Sequence, residues 1–105
     1  MSTVLIVDDE PGVRESMSLI LKIEGYKVDT VRDAVNALKV IDSGKKYDFI
    51  VCDMKMPVMD GLEFLTEFKN REKDSIVIMI SAYGTIESSI KAIKYGTLLK
   101  QIVKI

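Results

Sequence analysis

The sequence predicts an α/β protein with a doubly wound parallel sheet that carries helices on both faces. Short apolar runs typical of buried strands alternate along the chain with amphipathic stretches of helical period. Strands and helices that alternate in this way form βαβ units, whose strands are parallel. With 105 residues, of which 48% are hydrophobic and 30% charged, the chain suits a single domain spanning residues 1–105.

The first half of the chain contains two predicted strands and two predicted helices. Thr3–Val7 is short and rich in β-branched residues, as buried strands are. Gly12–Glu24 has apolar residues at helical spacing, and Gly25 follows as a helix-ending glycine. Lys27–Val31 alternates like a strand near the sheet edge, and a helix follows at Asp33–Asp42.

In the second half of the chain predicted strands and helices again alternate, but the type of the last element stays open. The predicted elements are a buried strand at Asp48–Cys52, a helix at Gly61–Asn70, a strongly apolar strand at Ser75–Ile80 and a helix at Thr85–Tyr95. The last nine residues, TLLKQIVKI, could form a fifth strand or the start of a helix.

Composition excludes several classes of function. The formal net charge is −1, with 15 basic and 16 acidic residues, so we expect no direct binding of nucleic acid. No apolar run reaches the length of a membrane span and no signal-peptide pattern is present, so we expect no membrane association. A lone cysteine, Cys52, fits a reducing cytoplasm, and the lack of histidine excludes histidine-based catalysis and metal binding.

Acidic side chains follow two of the predicted strands. Asp8 and Asp9 come directly after the first strand, Asp53 follows the third, and Ser81 follows the fourth. Because ligands of open parallel sheets bind beyond the carboxyl ends of the strands, these side chains should converge. Clustered carboxylates need a neutralising cation, and oxygen-only ligands suit Mg²⁺. The alternative is that each aspartate caps a helix or turn, but several caps at one sheet edge are a less economical explanation.

Three segments together resemble a known family. VLIVDDEPGVR, YDFIVCDMKMPVMDGLEF and IVIMISAYGT, in this order, are similar to the receiver domain of two-component response regulators. The similarity covers residues 3–96 and leaves an atypical tail at 97–105. It implies a flavodoxin-like fold with strand order 2-1-3-4-5.

The resemblance also implies a role for each site residue. Asp53 corresponds to the aspartate that receives a phosphoryl group from the phosphohistidine of a sensor histidine kinase. Asp9 and Asp8 correspond to the Mg²⁺-binding pair, Asp9 directly and Asp8 through water, with Asp53 and the backbone carbonyl of Lys55 as further ligands. Ser81 corresponds to the hydroxyl that contacts the phosphoryl group.

The sequence also predicts roles for residues near Asp53 in the chain. Asp60 is predicted to cap the following helix, and Gly61 and Pro57 to shape the loop before it. Cys52 is expected to be buried without a redox role. The loop methionines are expected to pack against the protein rather than to form a binding surface; they are Met54, Met56 and Met59.

The tail departs from the receiver pattern. Receivers end their fifth strand in a lysine that pairs with the phosphoryl group, and Lys104 in the segment 102–105 is the candidate, the alternative being a solvated tail charge. No fifth helix follows, so we expect apolar surface of the first helix and the sheet to be uncovered. We therefore expect a destabilised chain, a homodimer that pairs through this face, or an element-swapped dimer. A chain cut or altered near residue 97 would explain this.

These observations predict a phosphoacceptor signalling domain rather than an enzyme. Its phosphorylation would switch the surface around the helix at 85–95 and control an output domain or partner in transcription. The stretch SAYGTIESSIKAIKYG is similar to receivers attached to σ54-type ATPase and DNA-binding domains. The alternative is a receiver-like module that dimerises without phosphorylation. An aspartyl-phosphate phosphatase is disfavoured, because its D-x-D motif is replaced here by DDE.

Overall fold

Strands and helices alternate throughout the part of the chain that the computed structural model describes, which is residues 2–71, 74–80, 90 and 93. In chain order the elements are β1 (Thr3–Val7), α1 (Pro11–Ile23), β2 (Lys27–Val31), α2 (Ala34–Asp42), β3 (Phe49–Asp53), α3 (Gly61–Asn70) and β4 (Ile76–Ile80). The strands are parallel and lie in the order β2-β1-β3-β4. The α/β class and this part of the predicted strand order are therefore confirmed. The predictions of a fifth strand and an absent fifth helix concern residues outside the described ranges.

The sheet separates two hydrophobic clusters, because successive side chains of a strand point to opposite faces. On one face, β1 and β3 contribute to a cluster with α2 and α3; its members include Leu5, Ile50, Ala37, Leu38, Phe64 and Phe68. On the other face they pack with α1 and with two further helical residues; this cluster includes Ile6, Val51, Met17, Leu21, Ile90 and Ile93. The two central strands are thus buried on both faces, as their unbroken apolar runs predict.

Two strands begin one residue later than the sequence suggests. β3 begins at Phe49 and includes Asp53, which is paired with Ile80 of β4. Asp48 precedes the strand, and its carboxylate accepts the backbone N–H of Thr3 at 2.9 Å. Ser75 precedes β4, and its hydroxyl donates to the backbone carbonyl of Tyr47. In both cases a polar side chain accepts from or donates to a backbone group at the end of a neighbouring segment.

The helix boundaries follow from local hydrogen bonds. At the end of α1, the N–H of Gly25 donates to Lys22 and the N–H of Tyr26 donates to Leu21, which is a Schellman motif. Gly25 has φ +97°, a conformation that glycine adopts without strain. The predicted helix-ending glycine is therefore confirmed. No helix within the described ranges is long and apolar enough to cross a membrane.

A hydrogen bond between Tyr47 and Asp29 ties the loop before β3 to β2. The Tyr47 hydroxyl donates to Asp29 Oδ2 at 2.6 Å, and Lys45 Nζ lies 3.4 Å from the same oxygen. The hydroxyl is the main reason that the pKa of Asp29 lies below its ordinary value of 3.8. The resulting stabilisation is present above that value and is lost as the pH falls through the lowered pKa.

We expect Tyr47→Phe to lower the free energy of unfolding by about 1 kcal/mol at neutral pH, because a bond to a charged acceptor is lost. Urea denaturation measures the change. In an Asp29→Ala background the same substitution should cost much less, because its partner is already missing. If Tyr47→Phe lowered the free energy of unfolding equally in both backgrounds, the stabilisation would not come from the hydrogen bond between Tyr47 and Asp29.

Candidate functional site

Three carboxylates meet where β1 and β3 end. Val7 and Cys52 are neighbours in the parallel register, so the residues that follow them, Asp8 and Asp53, lie side by side. Asp9 is the next residue along the first of these chain segments. One carboxylate oxygen from each of Asp8, Asp9 and Asp53 can be chosen such that all three atoms lie within 4.8 Å of one another. The structure thus brings together the three acidic residues that the sequence singled out.

Asp8 is the buried member of this acidic cluster, with only 4% of its surface exposed. Its Oδ1 accepts the backbone N–H of Glu10 at 2.9 Å, and its own N–H donates to the carbonyl of Val31 in the neighbouring strand. Burial raises the pKa of Asp8 above its ordinary value, and the negative charges of Asp53 and Asp9 add to this effect. The bond from Glu10 opposes the rise. Asp8 therefore holds an unfavourable buried charge that a cation would relieve.

Asp53 is half-buried and its carboxylate is held by the backbone that follows it. The N–H of Lys55 donates to Asp53 Oδ1 at 3.1 Å. The N–H of Met54 donates to the carbonyl of Ile80, which fixes the chain leaving β3 against β4. These two bonds restrict the rotation and position of the Asp53 side chain. The proposed use of the Lys55 carbonyl as a metal ligand stays a prediction.

The loop from Met54 to Asp60 folds back against the end of β3. The N–H of Gly61 donates to the carbonyl of Met54 at 3.0 Å. A Cβ at Gly61 would lie 2.6 Å from the carbonyl oxygen of Asp53 and 2.8 Å from the Cα of Met54, so only glycine fits. Asp60 caps α3 through a capping box with Glu63, as predicted. The first turn of α3 is thereby fixed directly beside Asp53.

A strained turn forms the outer part of this loop. Val58 has φ 72°, which is rare for a β-branched residue, and the N–H of Met59 donates to the carbonyl of Pro57 at 2.8 Å. This geometry is a γ-turn with Val58 at its centre. Val58 is 93% exposed, so it contributes little packing to offset the strain.

The sulfur-containing side chains near Asp53 have structural roles. Cys52 is fully buried, and burial, followed by the charge of Asp53, raises the pKa of its thiol to about 12. Since a reactive cysteine needs an accessible thiolate, this confirms the expected burial and disfavours redox chemistry. Met56 is buried in the cluster with α2 and α3, and Met59 packs against it. The predicted packing role of these two methionines is confirmed.

One contact to the acidic cluster was not predicted from the sequence. Arg14 Nη1, from the first turn of α1, donates to the backbone carbonyl of Asp8 at 2.6 Å. The only signal in the sequence is that a cation follows the acidic pair by about one helical turn. Ser81 and Lys104, the other two candidate site residues, lie outside the described ranges, and their roles stay predictions.

The donor set of the acidic cluster fits a hard divalent cation. All three side chains offer oxygen, and in the described part of the chain no lysine or arginine forms an ion pair with any of them. Oxygen ligands around a partly open site suit Mg²⁺, which retains several waters. Asp8, Asp9 and Asp53 are therefore the residues that could hold such an ion.

Comparison with known proteins agrees with this fold. A family model described as the response regulator receiver domain matches residues 4–104. The chain therefore belongs to the receiver-domain family of two-component response regulators.

Similar curated proteins include regulators of several bacteria. The nitrogen assimilation regulatory protein NtrX of Azorhizobium caulinodans is 40% identical over 95 residues, and the transcriptional regulatory protein GlrR of Escherichia coli is 32% identical over 93 residues. Each match covers 89% of this chain but only 21% of the relative. The chain thus spans about a fifth of the length of these relatives.

Solved structures show the same fold. The response regulator protein TrrA of Thermotoga maritima in complex with Mg(2+)-BeF is 41% identical, with a TM-score of 0.73 over 79% of this chain and 71% of that one. A chain from the complex of histidine kinase ThkA with TrrA is 40% identical, with a TM-score of 0.73 over 81% of this chain and 72% of that one.

Proposed function

We propose that this receiver domain accepts a phosphoryl group on Asp53 from the phosphohistidine of a sensor histidine kinase, with Mg²⁺ bound at the acidic cluster. The observation that carries the proposal is the convergence of Asp8, Asp9 and Asp53 within 4.8 Å. The similar protein TrrA has been crystallised with Mg(2+)-BeF and with a histidine kinase, which supports the same chemistry here. The domain acts as a stoichiometric acceptor and not as an enzyme with turnover.

Phosphoryl transfer to Asp53 requires mainly a correctly positioned nucleophile and stabilisation of the developing charge. A carboxylate oxygen of Asp53 attacks phosphorus in line with the bond to the imidazole nitrogen, and a new P–O bond forms as the P–N bond breaks. The nitrogen leaves with the electron pair and is protonated by solvent. The Lys55 N–H bond to Oδ1 holds the Asp53 carboxylate in one orientation. Bound Mg²⁺ supplies the positive charge that offsets repulsion between the carboxylates and the phosphoryl oxygens.

Signal output would follow from the added charge beside the end of β4. An acyl phosphate carries strong acceptor oxygens, which would attract the hydroxyl of Ser81 and the ammonium of Lys104. Ile80, directly before Ser81, packs against the cluster that contains Ile90 and Ile93. A shift at Ser81 can thereby reach the surface around the helix that the sequence predicts at 85–95. By analogy with the relatives, this surface controls a transcriptional output domain, of the σ54-type ATPase and DNA-binding kind that the sequence resembles.

Phosphorylation with a small-molecule donor tests the proposal. With acetyl phosphate and Mg²⁺, intact-mass spectrometry should show one added phosphoryl group on the wild-type chain and none on Asp53→Asn. Asp60→Asn is the matched control, because asparagine also serves as an N-cap and Asp60 lies outside the acidic cluster. Labelling of Asp53→Asn would rule out the assignment.

A second candidate function is the unphosphorylated dimerisation module. The exposed apolar side chains of α1 favour it, since Leu19 is 62% and Ile23 is 76% exposed. In that case sedimentation would show a dimer without any phosphoryl donor, and acetyl phosphate would leave the mass unchanged. Dimerisation of this chain stays a prediction.

A further inference from the structure

A second surface lies at the outer edge of β2. Two open depressions, with volumes of about 370 and 440 Å³, share Arg14 and Thr30 in their linings. The first extends along α1 to Lys22, and the second extends along the start of α2 to Lys39. We call this pair of depressions the β2 groove.

The charged side chains of the β2 groove are mostly basic. Four are cations and one is an anion; they are Arg14, Lys22, Arg32, Lys39 and Glu15. Within the described ranges, Lys22 and Lys39 form no ion pair or side-chain hydrogen bond. Arg32 has only a loose contact with Asp33 at 3.7 Å, and its side chain is 77% exposed. Because surface pairs of this kind contribute little, the groove keeps a positive charge that fits an anionic partner.

Within the described part of the chain, some backbone groups of β2 between these cations have no partner. Lys27 donates its N–H to Ser2, and Val31 accepts the N–H of Asp8, so both residues pair toward β1. Backbone groups alternate in direction along a strand, so those of Val28 and Thr30 point away from β1. No strand of the described ranges lies beyond β2. An open strand edge therefore runs past Thr30, where the two depressions meet.

The acidic side chain on β2 does not cancel this charge. Asp29 accepts a hydrogen bond from Tyr47 at 2.6 Å and lies 3.4 Å from Lys45 Nζ. Tyr47 and Lys45 therefore stabilise the charge of Asp29, and neither residue lines the groove.

We propose that the β2 groove binds an extended acidic peptide segment of a partner protein. The segment adds to the sheet as a strand beside β2, with backbone hydrogen bonds to Val28 and Thr30. Successive side chains of an added strand point to opposite faces. Its carboxylates therefore meet Lys22 on the α1 side and Lys39 on the α2 side. A single small anion would reach one of these cations and leave the strand edge unused.

This inference does not rest on phosphorylation of Asp53, so its test uses the full chain without Mg²⁺ or phosphoryl donor. The probe is a fluorescein-labelled peptide of repeated Thr-Thr-Glu-Glu units, which presents carboxylates to both faces as a strand. We expect saturable binding by fluorescence anisotropy at low salt, and loss of binding when the glutamates are replaced by glutamines. Raising the salt concentration should weaken binding, because exposed charges are screened.

Charge reversal locates the site. The pair Lys22→Glu and Lys39→Glu should weaken peptide binding by about tenfold or more, because two attractive contacts become repulsive. The matched control is Lys46→Glu with Lys69→Glu, two exposed lysines outside the groove that give the same change in net charge. Circular dichroism verifies that both variants are folded. Equal weakening in the two variants would overturn the proposal, since binding would then follow net charge alone.

N-methylation of the peptide backbone distinguishes strand addition from electrostatic attraction alone. A peptide with N-methyl groups at consecutive amides keeps its charge but cannot pair along either edge, so we expect it not to bind. Binding of the unmodified peptide should also slow hydrogen exchange of the Val28 and Thr30 amides. Equally tight binding of the methylated peptide would overturn the proposal. Displacement of the unmodified peptide by inorganic phosphate at equal concentration would do the same, and would identify a site for small anions.

Discussion

Gly61→Ala is expected to lower the free energy of unfolding by about 3 kcal/mol, which corresponds to a fall in melting temperature of roughly 10–20 °C for a domain of this size. The added Cβ would lie 2.6 Å from the carbonyl oxygen of Asp53 and 2.8 Å from the Cα of Met54. Both contacts are with backbone, which cannot move aside as a flexible side chain can. The first turn of α3 and the end of β3 must therefore separate, and the N–H bond from Gly61 to Met54 is weakened.

Gly12→Ala is the matched control for this substitution. Gly12 lies inside α1, and a Cβ there would meet nothing within 4 Å. Because alanine is the better helix former, this variant should be about 0.5–1 kcal/mol more stable than the wild type. Thermal unfolding followed by circular dichroism measures both changes. A Gly61→Ala protein as stable as the wild type would show that the contact between α3 and Asp53 is looser than the structure indicates.

Asp8→Asn should have opposite effects on stability and on metal binding. Without divalent cations we expect the variant to be more stable at neutral pH by about 1 kcal/mol, because a buried charge with acidic neighbours is removed. Asparagine retains the oxygen that accepts the N–H of Glu10. If the proposed Mg²⁺ site is correct, the affinity for Mg²⁺ should fall by about 10- to 100-fold, because a charged oxygen of the site is lost.

The raised pKa of Asp8 determines how its contribution to the free energy of unfolding changes with pH. The folded-state pKa of Asp8 lies above its ordinary value of 3.8, so the folded state binds more protons than the unfolded state as the carboxyl titrates. The free energy of unfolding therefore falls as the pH rises from 3.8 through the raised pKa. The advantage of Asp8→Asn should appear over this window and vanish at lower pH. Chelator-treated samples unfolded at a series of pH values measure it, and a variant less stable than the wild type at neutral pH would contradict the burial argument.

Much of the fold could be predicted because its signals are local. The apolar runs of β1 and β3, the helical spacing of α1 and the glycine that ends it are all patterns within a few residues. The one-residue errors at β3 and β4 arose where a polar side chain bonds to a distant part of the chain. Asp48 contacts Thr3, and Ser75 contacts Tyr47. Such partners are far apart in sequence and leave no periodic signal.

The acidic cluster could likewise be predicted only in part from the sequence. The sequence alone determined that Asp8, Asp9 and Asp53 stand at strand ends, because parallel strands present their carboxyl ends at one edge of the sheet. The burial of Asp8 and the bond from Arg14 to its carbonyl become visible only in the folded structure. The folded structure also shows that cations from α1 and α2 line depressions beside β2, beyond which no strand of the described ranges lies. Burial and the meeting of separate helices depend on how β1 packs between β2 and β3, which no local pattern of residues specifies.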